Sequence, residues 1–390
     1  MLKTPVVKII LSYVGLIVFI VVFSFLAMKL WGGEPVTLPS SDQKLIIQAN
    51  MTLQEFGRTN QLTDQTVQEV FGLTSSTGLQ QTIQSFNLSD AEIAAKVSKI
   101  LAFEAEEASK NWVKIAAKFA LWIVFLTTVF FWLKNRKITP TVRKGFLFGA
   151  IAVFGVILGS DPSPMGTVKD AVVLFGKSRI IFPPRIIALA VMLIGGTLLA
   201  NKFLCSWGCQ FGTLQDLIFR LGRDVQDRKG LFPQRKIPFV ISNSIRIAFF
   251  ILLTVAAFAW VTDLVGFIDP FKIYNPAVLG TLGIGFIAVI LLAALFVYRP
   301  WCHLFCPFGL VGWLVEKISI YNIKVNYETC IACHTCAKAC PSTVMQAILT
   351  QTQTIPDCFA CGTCMEVCPT KSIHFKSGKR PQPPAGKFEP

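Results

Sequence analysis

Two stretches near the C-terminus carry the densest chemistry. Residues 330–340 read CIACHTCAKAC and are followed by Pro341; residues 358–368 read CFACGTCMEVC and are followed by Pro369. Both are C-x2-C-x2-C-x3-C-P. In such a run three thiolates close on one cube of iron and sulfide, and the fourth reaches across to the other cluster. The spacing therefore predicts one [4Fe–4S] cluster on Cys330, Cys333, Cys336 and Cys368. It predicts a second on Cys358, Cys361, Cys364 and Cys340. A lone C-x2-C could hold zinc, but two complete copies point to iron–sulfur. A disulfide scaffold would be small and secreted, unlike this chain of 390 residues.

The other four cysteines form two shorter motifs. Cys205 and Cys209 sit in CSWGCQFG, Cys302 and Cys306 in CHLFCPFG. Each C-x3-C-x-F-G closes a unit of the same plan: an apolar helix, a loop with Asp-Pro (Asp161 or Asp269), a returning apolar helix, the cysteine pair, then an amphipathic stretch. Two copies in the same direction read as parallel repeats about an axis along the membrane normal. Four thiolates meeting at that axis could hold one further [4Fe–4S] cluster, since four is its usual complement. The alternatives are two reducible dithiols, or a structural role in tight turns. His303 reads as a polar neighbour of that site rather than a ligand.

Composition supplies the setting for these motifs. The chain is 53% hydrophobic and only 15% charged, against about 25% charged for soluble domains. Six apolar runs approach the ~20 residues that a membrane crossing needs: 7–30, 112–133, 145–160, 186–204, 238–262 and 277–298. The first is too long for a signal peptide and lacks a cleavage site, so it reads as an anchor. The formal charge of +15 then belongs to loops rather than to nucleic-acid binding. The loop after the second run has five Lys and Arg, the loop after the fourth has seven, and segment 31–111 has ten acids against five bases. The positive-inside rule puts the N-terminus, the basic loops and the cysteine-rich tail in the cytoplasm, and 31–111 outside. Within 31–111, apolar residues at helical spacing predict a small helical domain, with Ser89 capping a long helix that runs into the second span.

The chain thus reads as an α-helical membrane protein of about six transmembrane helices, with two parallel hairpin repeats, plus a C-terminal α+β two-cluster ferredoxin-like domain. Its expected parts are an anchor (1–30), an extracytoplasmic helical domain (31–111), a second transmembrane helix (112–138), hairpin repeats at 139–236 and 237–318, the ferredoxin (319–376) and a disordered tail (377–390).

Over residues 145–376 the chain resembles the membrane iron–sulfur family of the periplasmic nitrate reductase quinol dehydrogenase. Relatives of that family are the nitrous oxide reductase accessory protein and the oxidase copper-maturation protein. The resemblance rests on the paired C-x3-C motifs followed by the double C-x2-C-x2-C-x3-C-P. One departure is Gln210 after Cys209, where the family has Pro, as at Pro307. The covalent-flavin motif of the nitrous oxide relatives is missing. So is the immunoglobulin-like domain that follows the ferredoxin in the copper-maturation relatives. The resemblance implies an electron-transfer subunit of quinol dehydrogenase type in the bacterial inner membrane, working between the quinone pool and a partner redox protein. The alternative is a maturation or regulatory factor that reduces a metal or reactivates a partner enzyme.

The only histidines, His303, His334 and His374, flank cysteine motifs, so the sequence offers no axial ligands for a haem inside a span. No nucleotide-binding loop is legible. Arg246 lies about two turns into the fifth apolar run, where an ionisable group is either functional or snorkels to the headgroups. Because the cysteines are expected on the cytoplasmic side and the outer loops about 30 Å away, a quinone is expected in the inner half of the membrane. Its expected neighbours are Arg246, Asn201, Lys202, Trp207 and Trp301.

Overall fold

The computed structural model describes residues 4–31, 45–48, 50–73, 75–108, 111–178, 183–224, 226–351 and 354–388. Helix α1 (Thr4–Trp31) is a near-continuous apolar rod, about 42 Å long at 1.5 Å per residue. In the segment expected to be a helical domain, the described residues between 51 and 108 are largely helical. Helices α2 (Leu53–Thr59) and α3 (Asp64–Phe71) and two 3-10 turns pack against α4 (Asp90–Ala108) around Leu53, Phe56, Val67 and Ile93. Ser89 caps α4: its Oγ accepts the Glu92 N–H and the Glu92 carboxylate accepts the Ser89 N–H. The long helix does not run into the next span. Asn111 caps a fresh helix, α5 (Trp112–Lys134), by accepting the Lys114 N–H at 3.0 Å.

Among the described residues, four helices are long and apolar enough to cross a membrane: Pro5–Trp31, Trp112–Lys134, Pro140–Ile157 and Phe239–Ala259. The third joins α6 (Pro140–Ala150) to a π turn at Ile151–Ile157, and the fourth is α10 (Phe239–Ala259). The expected fourth and sixth crossings are shorter. Helix α8 (Pro183–Leu193) widens into a π turn at Ile194–Leu198, and α11 (Thr281–Ala293) spans only 13 residues, about 20 Å. Their apolar runs outlast the helices because the flanking chain is buried against protein, as at Phe203, Leu204 and Ala294. Hydropathy does not distinguish a protein wall from lipid.

Both hairpins are filled by elements that turn back into the bundle. After α7 (Pro164–Ser178) and α8, residues 204–208 form a π turn and α9 (Gln210–Leu221) follows. The second hairpin repeats this with α12 (Pro300–Leu304) and α13 (Pro307–Glu316). Helix α9 is almost wholly buried.

The tail folds as one small α+β unit. Strands β1 (Tyr321–Val325) and β2 (Ile373–Ser377) pair antiparallel, Tyr321 opposite Ser377 and Val325 opposite Ile373. Helices α14 (Thr335–Ala339), α15 (Val344–Thr350) and α16 (Thr363–Val367) lie between them in sequence. The ferredoxin-like unit docks on one end of the helix bundle. Phe130 of α5 meets Tyr321 and Phe375 at 4.9 and 5.5 Å. Residues 377–388, expected to be disordered, fold against it instead. Arg380 donates to the Ile323 carbonyl at 3.1 Å, and the Phe388 ring lies on Tyr327 and His334.

Candidate metal centre

The tail brings its cysteines together across the two motifs. One cavity is walled by Cys330, Cys333, Cys336 and Cys368, another by Cys340, Cys358, Cys361 and Cys364. Each motif thus lends its fourth cysteine to the other cavity. Matched left-handed residues bend the two loops, Ala332 with His334 in the first and Ala360 with Gly362 in the second. Backbone N–H groups then point at sulfur: Ala360 donates to Cys358, and Ser342 and Met345 donate to Cys340. Such donors stabilise negative charge on thiolates. Among the described residues no three His, Cys, Asp or Glu side chains lie close enough for a single metal ion. The donor set, four thiols around an apolar hollow in each case, fits a cube of iron and sulfide.

The C-x3-C pairs also converge. Cys205 lies within electrostatic reach of Cys209, Cys302 and Cys306, and Cys306 within reach of Cys209. All four are buried, at 7–8% exposure. The two loops are built alike. The residue three before each first cysteine is a cation that crosses to the opposite loop. Arg299 donates to the Cys205 and Ser206 carbonyls at 2.6 and 2.9 Å, and Lys202 bonds the Gly309 carbonyl. A glycine follows each second cysteine by three residues and is required by close approach. A Cβ on Gly212 would stand 2.7 Å from the Cys205 carbonyl oxygen, and one on Gly309 the same distance from that of Cys302. The Gly212 and Phe211 N–H groups donate to Cys209, and that of Gly309 to Cys306.

Each crossing cation has its own buried carboxylate. Arg299 pairs with Asp216 at 2.7 Å, and Lys202 with Asp357 at 2.6 Å. Asp357 also takes Arg246 at 2.7 Å. Burial pushes the Asp357 carboxyl up, but Lys202 and Arg246 outweigh it and hold it at about 2. Burial, then the Asp357 charge, raises Glu316 to about 8, where it accepts the Cys358 N–H at 2.9 Å. A third carboxylate, Asp227, meets Arg143 at 2.6 Å and Arg223 at 2.7 Å, and also bonds Arg220. These arginines continue to the ferredoxin backbone: Arg143 to the Cys361 carbonyl, Arg223 to that of Ala339.

This network bears on Arg246: it is buried and does not snorkel. Asn243, Asp357 and the Gly309 carbonyl share its guanidinium. The other expected quinone neighbours are equally enclosed. Lys202 holds Asp357, Asn201 accepts from Ser319 at 2.8 Å, and Trp207 donates to the Ala360 carbonyl at 3.3 Å. Trp301 lies among Phe249, Phe286 and Phe305. None of the five exceeds 1% exposure, and Asn201 Nδ2, Arg246 Nε and Trp301 Nε1 are buried without a hydrogen-bond partner. His303 bonds the Arg299 carbonyl and stacks near Phe359. Asp269 shapes its turn, accepting the Phe271 N–H at 2.9 Å.

The expected 30 Å between the loop ends and the cysteines is wrong. The two loops at the end of the bundle away from the ferredoxin, the far end, fold inward and reach the residue after Cys209. Gln210 Nε2 donates to the Ser160 carbonyl at 2.6 Å, and the Tyr274 hydroxyl donates to the Gln210 carbonyl at 2.9 Å. Trp122, midway along α5, donates to the Gly208 carbonyl. Cys209 therefore sits deep within the bundle. The departure from Pro at 210 has a use: an amide side chain there ties the pair to the far-end loops. Asp216, Asp227 and Asp357 were missed in the sequence, although an acid near a cysteine motif stands out in a chain with so few charges. The matched Lys202 and Arg299 positions were the legible signal.

Comparison with known proteins follows the same geometry. A 4Fe-4S binding domain matches twice, at residues 182–229 and 279–326, each copy holding one C-x3-C pair. A 4Fe-4S dicluster domain matches residues 322–369. The chain is 31% identical to YccM of Escherichia coli (strain K12), named as a candidate electron transport protein, over 44% of this chain and 51% of that one. It is 27% identical to a Methanocaldococcus jannaschii protein without a described role, over 55% and 76%. It is 26% identical to the regulatory protein NosR of Pseudomonas aeruginosa, over 35% and 19%. The chain thus spans about half the length of the first of these relatives. No solved structure matches it. These likenesses support iron–sulfur clusters in this chain and its similarity to iron–sulfur electron-transport proteins.

Proposed function

We propose that this chain carries electrons between the membrane quinone pool and a partner redox protein, in the manner of the quinol dehydrogenase type. The observation that carries the reading is continuity. Segment 357–360 of the ferredoxin walls one four-thiol cavity and also docks on the C-x3-C centre. The Phe359 ring lies under the Arg299 guanidinium at 4.7 Å, and Asp357 joins Lys202 and Arg246. In this reading Cys330, Cys333, Cys336 and Cys368 hold one [4Fe–4S] cluster. Cys340, Cys358, Cys361 and Cys364 hold a second, and Cys205, Cys209, Cys302 and Cys306 a third, with the two hairpins as parallel repeats around it. Bound clusters supply one-electron transfer. The chain's own contribution is to fix the thiols, aim N–H groups at them, and exclude water with apolar side chains.

The basic loops support an orientation with the N-terminus and ferredoxin in the cytoplasm and residues 31–111 outside, in a bacterial inner membrane. Arg136, Arg143, Arg223 and Lys236 of those loops bond the ferredoxin backbone, so they serve docking as well as topology. The regulatory or maturation reading has the name of the Pseudomonas relative in its favour. The deciding experiment is anaerobic purification followed by addition of a short-chain quinol. We expect roughly 8–12 iron atoms by ligand counting and reduction of the clusters by quinol, seen by electron paramagnetic resonance. Iron-loaded protein that exchanges no electrons with quinol or quinone would overturn the relay reading.

A further inference from the structure

A cavity of about 170 Å³ opens at the far end, between α1, α5 and the two inward-folded loops. By the same measure a single water needs only about 10–15 Å³, so there is room for a ring-sized group. Ala27, Met28, Ile115, Val156 and Ile157 give it apolar walls, and Ser24, Asn111, Lys114, Asp161, Tyr274 and Asn275 give it polar ones. Two of the polar atoms are buried without a hydrogen-bond partner: Ser24 Oγ, on a residue with no exposed surface, and Asn275 Oδ1. A buried polar atom left unpaired is costly, and both of these belong to residues that line the hollow. The hollow is bounded by membrane-length helices, so what enters sideways comes from lipid. Apolar walls with a few placed polar groups are the usual make-up of a small-molecule site.

We infer that this cavity binds the headgroup of a lipid-borne quinol or quinone, with Ser24, Lys114, Asp161 and Asn275 as its polar contacts. The inference rests on the relay reading and relocates the quinone to the opposite end of the bundle from the one the sequence indicated. Its reach to the cysteines is short. Tyr274 lines the cavity and donates to the carbonyl of Gln210, the neighbour of Cys209, and Gln210 donates to Ser160, another lining residue. Quinol oxidation here breaks two O–H bonds. The two protons would leave to the far-end water through Asp161, and the two electrons would pass one at a time to a cluster held by Cys205, Cys209, Cys302 and Cys306. Quinone reduction is the reverse. Lys114 offers a donor to one ring oxygen, and beyond it Lys118 is held by the Gly159 carbonyl at 2.8 Å.

The test uses the full chain in detergent and a short-chain naphthoquinone bearing a photoreactive azide. Label should appear on peptides containing Ser24, Lys114 or Tyr274, also in the variant with all four C-x3-C cysteines changed to Ala, because the site does not need the cluster. Lys114→Gln with Asp161→Asn should weaken binding at least tenfold, with iron content and dithionite reduction unchanged. Ala27→Trp, which fills the cavity without touching its polar groups, should block labelling and quinol-driven reduction together. Label on Trp207, Trp301 or Arg246 peptides, or full binding by both variants, would overturn this placement and leave the relay reading intact. Absence of binding together with absence of quinol-driven reduction would overturn both.

Discussion

The tail and the C-x3-C centre gather the same four ligands by opposite means. In the tail, three thiols of each set come from seven consecutive residues and only the fourth crosses over. The local chain does most of the positioning, with small helices, left-handed bends and a two-stranded clasp. In the centre, two thiols come from each of two loops nearly a hundred residues apart. Neither loop is self-sufficient, and each is braced by a cation from the other. That exchange needs buried carboxylates, and they differ in origin: Asp216 sits on α9 beside the first loop, whereas Asp357 comes from a third place, the ferredoxin. A locally encoded site can be read from spacing alone, whereas a site shared between loops is held by charge pairs that spacing does not announce.

The sharpest test of the contrast is the crossing of ligands in the tail. Changing Cys340 with Cys358, Cys361 and Cys364 to Ala should remove about four irons by ligand counting. Changing Cys340 with Cys330, Cys333 and Cys336 should remove about eight, because it cuts into both sets. The reverse pattern, about eight irons lost from the first variant and four from the second, would mean that each motif holds its own cluster. In the centre, Ala at Cys205, Cys209, Cys302 and Cys306 should remove about four irons and leave the tail signals in place; unchanged iron would deny a third cluster.

Breaking a brace should matter next. Asp227→Asn leaves three buried arginines without their shared carboxylate, and breaking a buried pair costs about 3–5 kcal/mol. We expect a large fall in thermal midpoint and faster proteolysis of the ferredoxin from the bundle. Retention of wild-type protease resistance would show that Asp227 does not hold the interface. Gly309→Ala presses a Cβ against the Cys302 carbonyl and should disturb the resonance of the central cluster alone, with the tail spectra as internal control. The smallest change is Tyr274→Phe, which deletes one hydrogen bond to Gln210, worth about 1 kcal/mol. It should slow quinol-driven reduction while leaving dithionite reduction as it was.

By itself the sequence pointed to the tail cysteines' grouping, the helical stretch with its Ser89 cap, and six apolar runs that include the four long helices. Each of these depends on neighbours within a few turns of chain: ligand spacing, cap chemistry and uninterrupted apolar length. It also pointed to the C-x3-C pairs as one site. Tertiary structure decided the rest. The fourth and sixth apolar runs are short helices because protein, not lipid, covers their ends. Arg246 looked like a ligand contact and is a brace, because its partner Asp357 lies more than a hundred residues away. The cavity and the cysteines are close because two loops fold inward and meet at Gln210. Spacing can encode a ligand set, but which acid meets which base, and how deep a loop reaches, is fixed only when distant segments pack.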